Sequence, residues 1–287
     1  MSKRILILGD SHVSFFENIY HGGYHNGHGY GFKGPHRAST FHHKKPYDNL
    51  DIKICKVQGA TAYGITNPDS KTNAHNFFVD FLNNKEVSNK ESAHIKYFAD
   101  IEANPPDYVA FFLGEIDCRG LTCSLSNKYG SWKDVLDKSV ENLYKFAQDN
   151  IVNRVTDPDR ILYLAPHLSK SVDCKDLELS DLTERTYYIS NLLKQIPDSH
   201  YISINDSLLD KKTNTVHEDF AGNMENDRIH LWPINVYNNP ISTLWAEELV
   251  KLPDSDPNEL HKLRFHEGTN LDGGDGRWAK GGKNISS

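Results

Sequence analysis

The chain has 287 residues, 38% of them hydrophobic, and a formal net charge of -7. This length and composition are sufficient for one large domain with a sizeable apolar core. The acidic balance and the lack of a dense lysine and arginine stripe argue against a nucleic-acid partner.

An apolar run near the start of the chain stops after four residues, Ile5 to Leu8. Such a run is too short for the apolar region of a secretory signal or for a membrane span. We therefore expect a cytoplasmic protein with no membrane partner. The four cysteines include no Cys-x-x-Cys pair, so they indicate neither a zinc site, nor a redox dithiol, nor a disulfide framework.

Five short segments have the composition of buried strands, and segments with helical periodicity separate most of them. The predicted strands are 3–9, 51–57, 107–113, 160–165 and 200–204. The predicted helices are 75–83, 93–103, 132–152, 180–196 and 240–251, and Ser131 is the expected N-cap of the third one. This alternation predicts an α/β fold with a parallel sheet.

We expect one domain over residues 1–252, followed by an irregular tail over 253–287 that is rich in glycine. An insertion rich in His, Gly and Tyr interrupts the domain at about 21–46. Its histidine spacings fit no standard zinc motif, so we predict no metal and no other cofactor. We expect the insertion to lie over the site as a lid, with Tyr and His side chains suited to stacking on a sugar ring.

The first predicted strand ends in Gly-Asp-Ser, which makes Ser11 the candidate nucleophile. In open α/β sheets, reacting groups lie at the carboxyl ends of the strands. A serine hydroxyl needs a base to take its proton, and the base needs a carboxylate behind it. His12, the next residue, is expected to point away from this group, because neighbours on an extended turn face opposite sides.

The base and the carboxylate are predicted near the far end of the chain, in Asp227-Arg228-Ile229-His230. On a single turn, this spacing lets Asp227 accept the Nδ1 proton of His230 while Nε2 stays free for Ser11. Asp227 and His230 are therefore the other two candidate catalytic residues.

These blocks, in this order and over most of the chain, resemble the SGNH/GDSL hydrolase superfamily. Its members carry a Gly-Asp-Ser block after the first strand, a glycine after the second strand whose N–H helps form the oxyanion hole, and an Asp-x-x-His block near the C-terminus. Ser11, Gly59, Asp227 and His230 occupy those places here.

The resemblance implies a three-layer α/β/α sandwich with a flavodoxin-like, five-stranded parallel sheet in the order 2-1-3-4-5. It also implies hydrolysis of an O-acyl ester, most often a carboxylic ester or a sugar O-acetyl group. The expected partner is thus a small-molecule or glycan ester, and some relatives transfer the acyl group instead of hydrolysing it.

The block after the third strand departs from the family pattern. Members carry Gly-x-Asn-Asp there, and the Asn side chain donates to the oxyanion, whereas this chain has Ile116 at the Asn position. Losing one oxyanion donor costs roughly 100-fold to 1000-fold in turnover. Arg119 is the nearest replacement donor, with Glu115 or Asp117 to orient it.

Four further residues are predicted to bind substrate at the same edge of the sheet. They are Asp10, Glu115, Asp117 and His167.

Three other functions stay open from the sequence. The first is an O-acyltransferase on the same fold. The second is a binuclear metallophosphoesterase, because Asp10-Ser11-His12 is an Asp-x-His after a strand and residues 114–120 resemble a Gly-Asp-x-x-Asp-Arg-Gly loop. The third is a non-catalytic carbohydrate-binding or structural protein. The acyl group, the alcohol and the oligomeric state are not predicted.

Overall fold

The computed structural model describes residues 3–18, 24–25, 36–42, 50–83, 87–88, 96–97, 105–152, 154–221, 229–231 and 240–253. Its strands are β1 (Lys3–Gly9), β2 (Tyr24–His25), β3 (His36–His42), β4 (Leu50–Val57), β5 (Val87–Ser88), β6 (Lys96–Tyr97), β7 (Tyr108–Phe112), β8 (Ile161–Leu164), β9 (His200–Ile202), β10 (Leu209–Asp210) and β11 (Thr215–Val216). Its α-helices are α1 (Ala74–Leu82), α2 (Thr122–Tyr129), α3 (Trp132–Asn150), α4 (Leu179–Lys194), α5 (Asn205–Leu208), α6 (Glu218–Ala221) and α7 (Pro240–Leu249). Turns of 3-10 helix span Ser11–Asn18 and Pro158–Arg160, and a π-helical turn spans Asp117–Leu121.

Five parallel strands form the centre of the main sheet, in the order β4-β1-β7-β8-β9. The α/β fold and the predicted flavodoxin-like strand order are thereby confirmed. The aliphatic run of β1 is fully buried, as expected of a central strand that is covered on both faces. Gly9 pairs with both Lys56 and Phe112, so β1, β4 and β7 end side by side.

Two strands from the His/Gly/Tyr-rich insertion extend the sheet beyond β4. β3 pairs antiparallel with β4, and β2 pairs antiparallel with β3. The sequence does not predict them because β3 is largely polar and lacks an apolar run. The segment that joins β2 to β3, residues 26–35, lies outside the described residues, and so does any lid that it forms.

Helices cover both faces of the sheet and give the three layers. Successive residues of a strand point to opposite faces. Leu6 and Leu8 therefore pack into a core with α1, α3 and α4, whereas Ile5 and Ile7 pack into a second core with α7. α3 begins as predicted, since the Ser131 side chain accepts a hydrogen bond from the Asp134 backbone N–H.

One predicted helix is wrong where the structure describes it. Within 93–103, residues 96 and 97 form β6, which pairs antiparallel with β5, and the other residues of that segment lie outside the described residues. The predicted tail also lies outside them, beyond residue 253. None of the described helices is long and apolar enough to cross a membrane.

A disulfide joins Cys123 to Cys174, which contradicts the expectation that the cysteines form no disulfide. The two residues are 51 positions apart, so their spacing carries no local signal. The bond ties α2 to the loop that follows β8. Disulfides persist mainly in oxidising compartments, so this bond does not agree with the expected cytoplasmic location.

Candidate active site

Ser11 lies just beyond the carboxyl end of the central strand. A Cβ on Gly9 would lie 2.4 Å from the carbonyl oxygen of Phe112, so only glycine fits where β1 passes this neighbour. The chain then turns at Asp10 and enters the 3-10 turn that begins at Ser11. The nucleophile candidate is therefore held at the edge where β1, β4 and β7 end together.

The structure brings Ser11 and His230 into direct contact, although 219 positions separate them in sequence. His230 Nε2 lies 2.8 Å from Ser11 Oγ, within hydrogen-bond distance. With the imidazole proton on Nδ1, Nε2 accepts the hydrogen bond that the serine hydroxyl donates. Asp227 lies outside the described residues, and its contact with Nδ1 stays a prediction.

Two backbone N–H groups follow the carboxyl ends of the neighbouring strands β1 and β4. Gly59 follows β4 in a turn with φ +77°, a left-handed conformation that favours glycine. Within the described part of the chain, neither the Ser11 N–H nor the Gly59 N–H has an acceptor. This is the state expected of oxyanion donors before substrate binds.

Asp117 holds the loop that follows Gly59. Its carboxylate accepts hydrogen bonds from the backbone N–H groups of Ala62 (3.0 Å) and Tyr63 (2.8 Å), and from the Ser139 hydroxyl (2.8 Å). Burial raises the pKa of Asp117 to about 6, and these three hydrogen bonds act in the opposite direction. The side chain is fully buried, and its predicted contact with substrate stays a prediction.

Arg119 is held by two carboxylates within the described residues. Its Nε donates to Glu115 Oε1 at 2.8 Å, and one Nη donates to Asp173. Glu115 and Asp117 were the two residues predicted to orient Arg119. Within the described residues, Glu115 makes this contact and Asp117 does not. The described hydrogen bonds include none between Arg119 and Ser11, so its role as an oxyanion donor stays a prediction.

Glu115 and Asp10 are buried carboxylates with one oxygen engaged and one unpartnered in the described structure. Glu115 Oε1 also accepts from the Ser169 hydroxyl at 2.8 Å, and Asp10 Oδ1 accepts from the His12 backbone N–H at 2.8 Å. Glu115 Oε2 and Asp10 Oδ2 are buried, and neither has a hydrogen-bond partner there. Buried polar groups of this kind are uncommon away from functional sites.

His12 faces the candidate site, contrary to the expectation that it points away. The turn at Ser11 is a 3-10 helix and not an extended segment, and it brings the His12 ring to 4.9 Å from the ring of His230, centroid to centroid. Sequence reasoning missed this residue because it assumed the wrong backbone conformation. The Asp-x-His spacing of Asp10 and His12 was the signal that pointed to it.

His12 also has an unusual electrostatic setting. Its Nδ1 lies 2.9 Å from Asp10 Oδ1. Burial lowers the pKa of His12, but the charge of Asp10, its hydrogen bond and the charge of Glu115 outweigh that effect, and Arg119 opposes them. The net result is a raised pKa, which favours the imidazolium form.

His167 lies in the same cluster in the opposite protonation state. Its Nε2 accepts a hydrogen bond from the Trp245 indole N–H at 2.8 Å, and indole is a donor only, so the imidazole proton lies on Nδ1. Burial lowers the pKa of His167 well below its ordinary value, and the nearby His12 and His230 lower it further. His167 is therefore neutral and fixed against α7.

Several of these side chains line one narrow cleft at the carboxyl edge of the sheet. Its walls are Asp10, His12, Phe112, Leu113, Glu115, Pro166 and His167. Three of the four predicted substrate-binding residues thus line it, and Asp117 does not. Among the described residues, no group of three or more His, Cys, Asp or Glu side chains is arranged to hold a metal ion.

Comparison with known proteins adds no family to this geometry. No protein-family model matches the chain, and no curated protein is significantly similar to it.

Proposed function

We propose that this protein is a serine esterase of the SGNH type that removes an O-acyl group from a small-molecule or glycan ester. The observation that carries the proposal is the 2.8 Å contact between Ser11 Oγ and His230 Nε2 at the carboxyl edge of a parallel sheet. A serine hydroxyl paired with an imidazole is the arrangement that activates the oxygen for acyl transfer.

The reaction follows from this pair. Ser11 Oγ attacks the ester carbonyl carbon while His230 Nε2 takes the hydroxyl proton, and the carbonyl π electrons move to the oxygen. The oxyanion accepts hydrogen bonds from the Ser11 and Gly59 backbone N–H groups. As the oxyanion collapses, the bond to the alcohol breaks and His230 protonates the leaving oxygen.

Water completes the cycle by the same steps. His230 takes a proton from water, whose oxygen attacks the acyl carbon, and Ser11 Oγ leaves with that proton restored. Asp227 is the proposed carboxylate behind His230, where it fixes the tautomer that leaves Nε2 free.

O-acetyl groups on carbohydrates are the proposed substrate class, and they rest on the resemblance of the sequence blocks. The expected activity is hydrolysis of p-nitrophenyl acetate and of acetylated sugars by the purified wild-type chain. Ser11→Ala should abolish this activity on every substrate that the wild type hydrolyses, while the far-ultraviolet circular dichroism spectrum stays unchanged.

Ser124→Ala is the matched control, because Ser124 is an exposed serine on α2. It should retain wild-type turnover. Equal turnover of Ser11→Ala and the wild type would refute the proposed nucleophile.

A further inference from the structure

His12 lies against His230, the proposed base, and has no role in the proposed mechanism. His12 is 3% exposed, and its ring lies 4.9 Å from the ring of His230, centroid to centroid. His230 is in turn within hydrogen-bond distance of Ser11. We infer that His12 donates from Nε2 to the oxyanion, and so supplies the side-chain donor that Ile116 lacks; this inference rests on the proposed esterase function.

The first support is that His12 is held in a single orientation. Asp10 Oδ1 accepts both from its backbone N–H at 2.8 Å and from its ring Nδ1 at 2.9 Å. The rings of Phe15 and Phe112 also lie near it, each 6.4 Å away, centroid to centroid. A preorganised donor needs little reorganisation when charge develops on the substrate.

The second support is the direction of the hydrogen bonds. An ionised carboxylate only accepts, so Nδ1 of His12 carries a proton and donates it to Asp10. Nε2 is then the remaining ring nitrogen, and within the described residues it has no hydrogen-bond partner. The ring also lines the narrow cleft that it shares with Asp10, Glu115 and His167.

The third support is the charge of the surroundings. Asp10 and Glu115 face His12 with negative charge, Arg119 opposes them, and His167 on the far side is neutral. The imidazolium form is favoured, so Nε2 carries a proton as well. A charged donor makes a stronger hydrogen bond to an oxyanion than a neutral amide does.

This arrangement has a consequence for pH dependence. His230 must be unprotonated to accept the Ser11 proton, so the rate is lost in acid. His12 must be protonated to donate, so the rate falls again as pH rises through its raised pKa. A bell-shaped profile of kcat against pH is therefore expected, with His12 on the alkaline side.

The test compares kcat, KM and pH profile of three variants, with p-nitrophenyl acetate as the probe. His12→Phe should lower kcat by on the order of 100-fold to 1000-fold with KM within a few-fold of wild type, because the donor acts in the transition state. His12→Gln keeps a neutral donor; it should recover about tenfold of that loss and should lose the alkaline fall.

Asp10→Asn tests the same role of His12 if the His12→Phe variant folds poorly. It removes the carboxylate that stabilises the imidazolium, so the alkaline fall should move to lower pH. His200→Gln is the matched control, since His200 is the first residue of β9 and lies at the opposite edge of the sheet. It should leave kcat and the profile unchanged.

Two results would overturn the inference while the esterase proposal stands. The first is a His12→Phe variant with kcat within about threefold of wild type. The second is an alkaline fall that keeps its position in both His12→Gln and Asp10→Asn. A wild-type protein that hydrolyses no ester, or hydrolyses it as fast as Ser11→Ala does, would instead refute the proposed function and this inference with it.

Discussion

The two edges of the parallel sheet carry buried polar side chains of similar kinds that differ in their hydrogen-bond partners. At the amino edge, Lys3 donates to the Val250 carbonyl at 2.7 Å, and Arg4 pairs with Asp107 at 3.1 Å. At the carboxyl edge, Asp10 Oδ2, Glu115 Oε2 and His167 Nδ1 are buried with no partner among the described residues.

If the proposed function is right, the difference separates groups that stabilise the fold from groups that take part in the reaction. Satisfied buried charges join elements together, and the Tyr108 hydroxyl, which donates to the Pro253 carbonyl, does the same for β7 and the chain after α7. Unsatisfied buried groups cost stability and are expected where a substrate is to be bound or a charge is to develop. Removing Asp107 at the amino edge should therefore affect folding, whereas removing His230 at the carboxyl edge should affect turnover.

The largest expected effect on turnover is that of His230→Ala. Without the base, Ser11 keeps its proton, and kcat should fall by roughly six orders of magnitude. Ester hydrolysis and thermal unfolding should be measured on the same preparation. A melting temperature near that of wild type together with lost activity supports the comparison; retained turnover would place the base elsewhere.

Asp107→Ala should have the converse effect at the amino edge. Asp107 accepts from the Arg4 backbone N–H at 2.7 Å and from its guanidinium at 3.1 Å, and both side chains are largely buried. Breaking such a pair leaves Arg4 uncompensated and should lower the free energy of unfolding by about 4 kcal/mol. Urea unfolding measures the loss, and kcat of the folded variant should stay at the wild-type value; a fall in kcat of tenfold or more would erase the distinction between the edges.

Asp117 lies at the carboxyl edge, but its hydrogen bonds join parts of the fold, so we expect its main effect to be on stability. Its pKa is about 6 when folded and 3.8 in the reference state, so the folded protein binds the proton more tightly. Asp117 therefore stabilises the folded protein most below pH 3.8. As pH rises from 3.8 towards about 6, the free energy of unfolding should fall by about 3 kcal/mol.

Unfolding of wild type and Asp117→Asn across this pH range measures that contribution. The stability difference between the two proteins should shrink as pH rises. A difference that stays constant with pH would show that Asp117 does not titrate there.

The smallest expected effect is that of Arg119→Ala on turnover. Its guanidinium is engaged by Glu115 and Asp173, so the variant should lose melting temperature and keep kcat within about tenfold of wild type. A fall of on the order of 100-fold in kcat at unchanged KM would assign the missing oxyanion donor to Arg119 instead of His12.

The sheet, and the position of Ser11 just beyond its central strand, could be predicted because their signals are local. The strands are short aliphatic runs, and Ser11 follows the first of them directly. β3 is not predicted because its residues are largely polar and form no apolar run. His12 was misplaced because one turn of 3-10 helix replaces the assumed extended turn, and that choice reverses which side the ring faces.

Contacts between distant residues carry no local signal at all. The His167 tautomer depends on Trp245, 78 positions away, and the place of Asp117 depends on Ala62 and Tyr63, more than 50 positions away. Only the folded sheet brings these groups to one edge.

Covalent labelling by a fluorophosphonate probe tests the central claim most directly. The probe reacts with a serine whose proton is taken by a neighbouring base, and peptide mass spectrometry identifies the labelled residue. We expect one adduct on wild type, located at Ser11, and none on His230→Ala or Ser11→Ala. An unlabelled wild-type protein, or an adduct at another residue, would contradict the account.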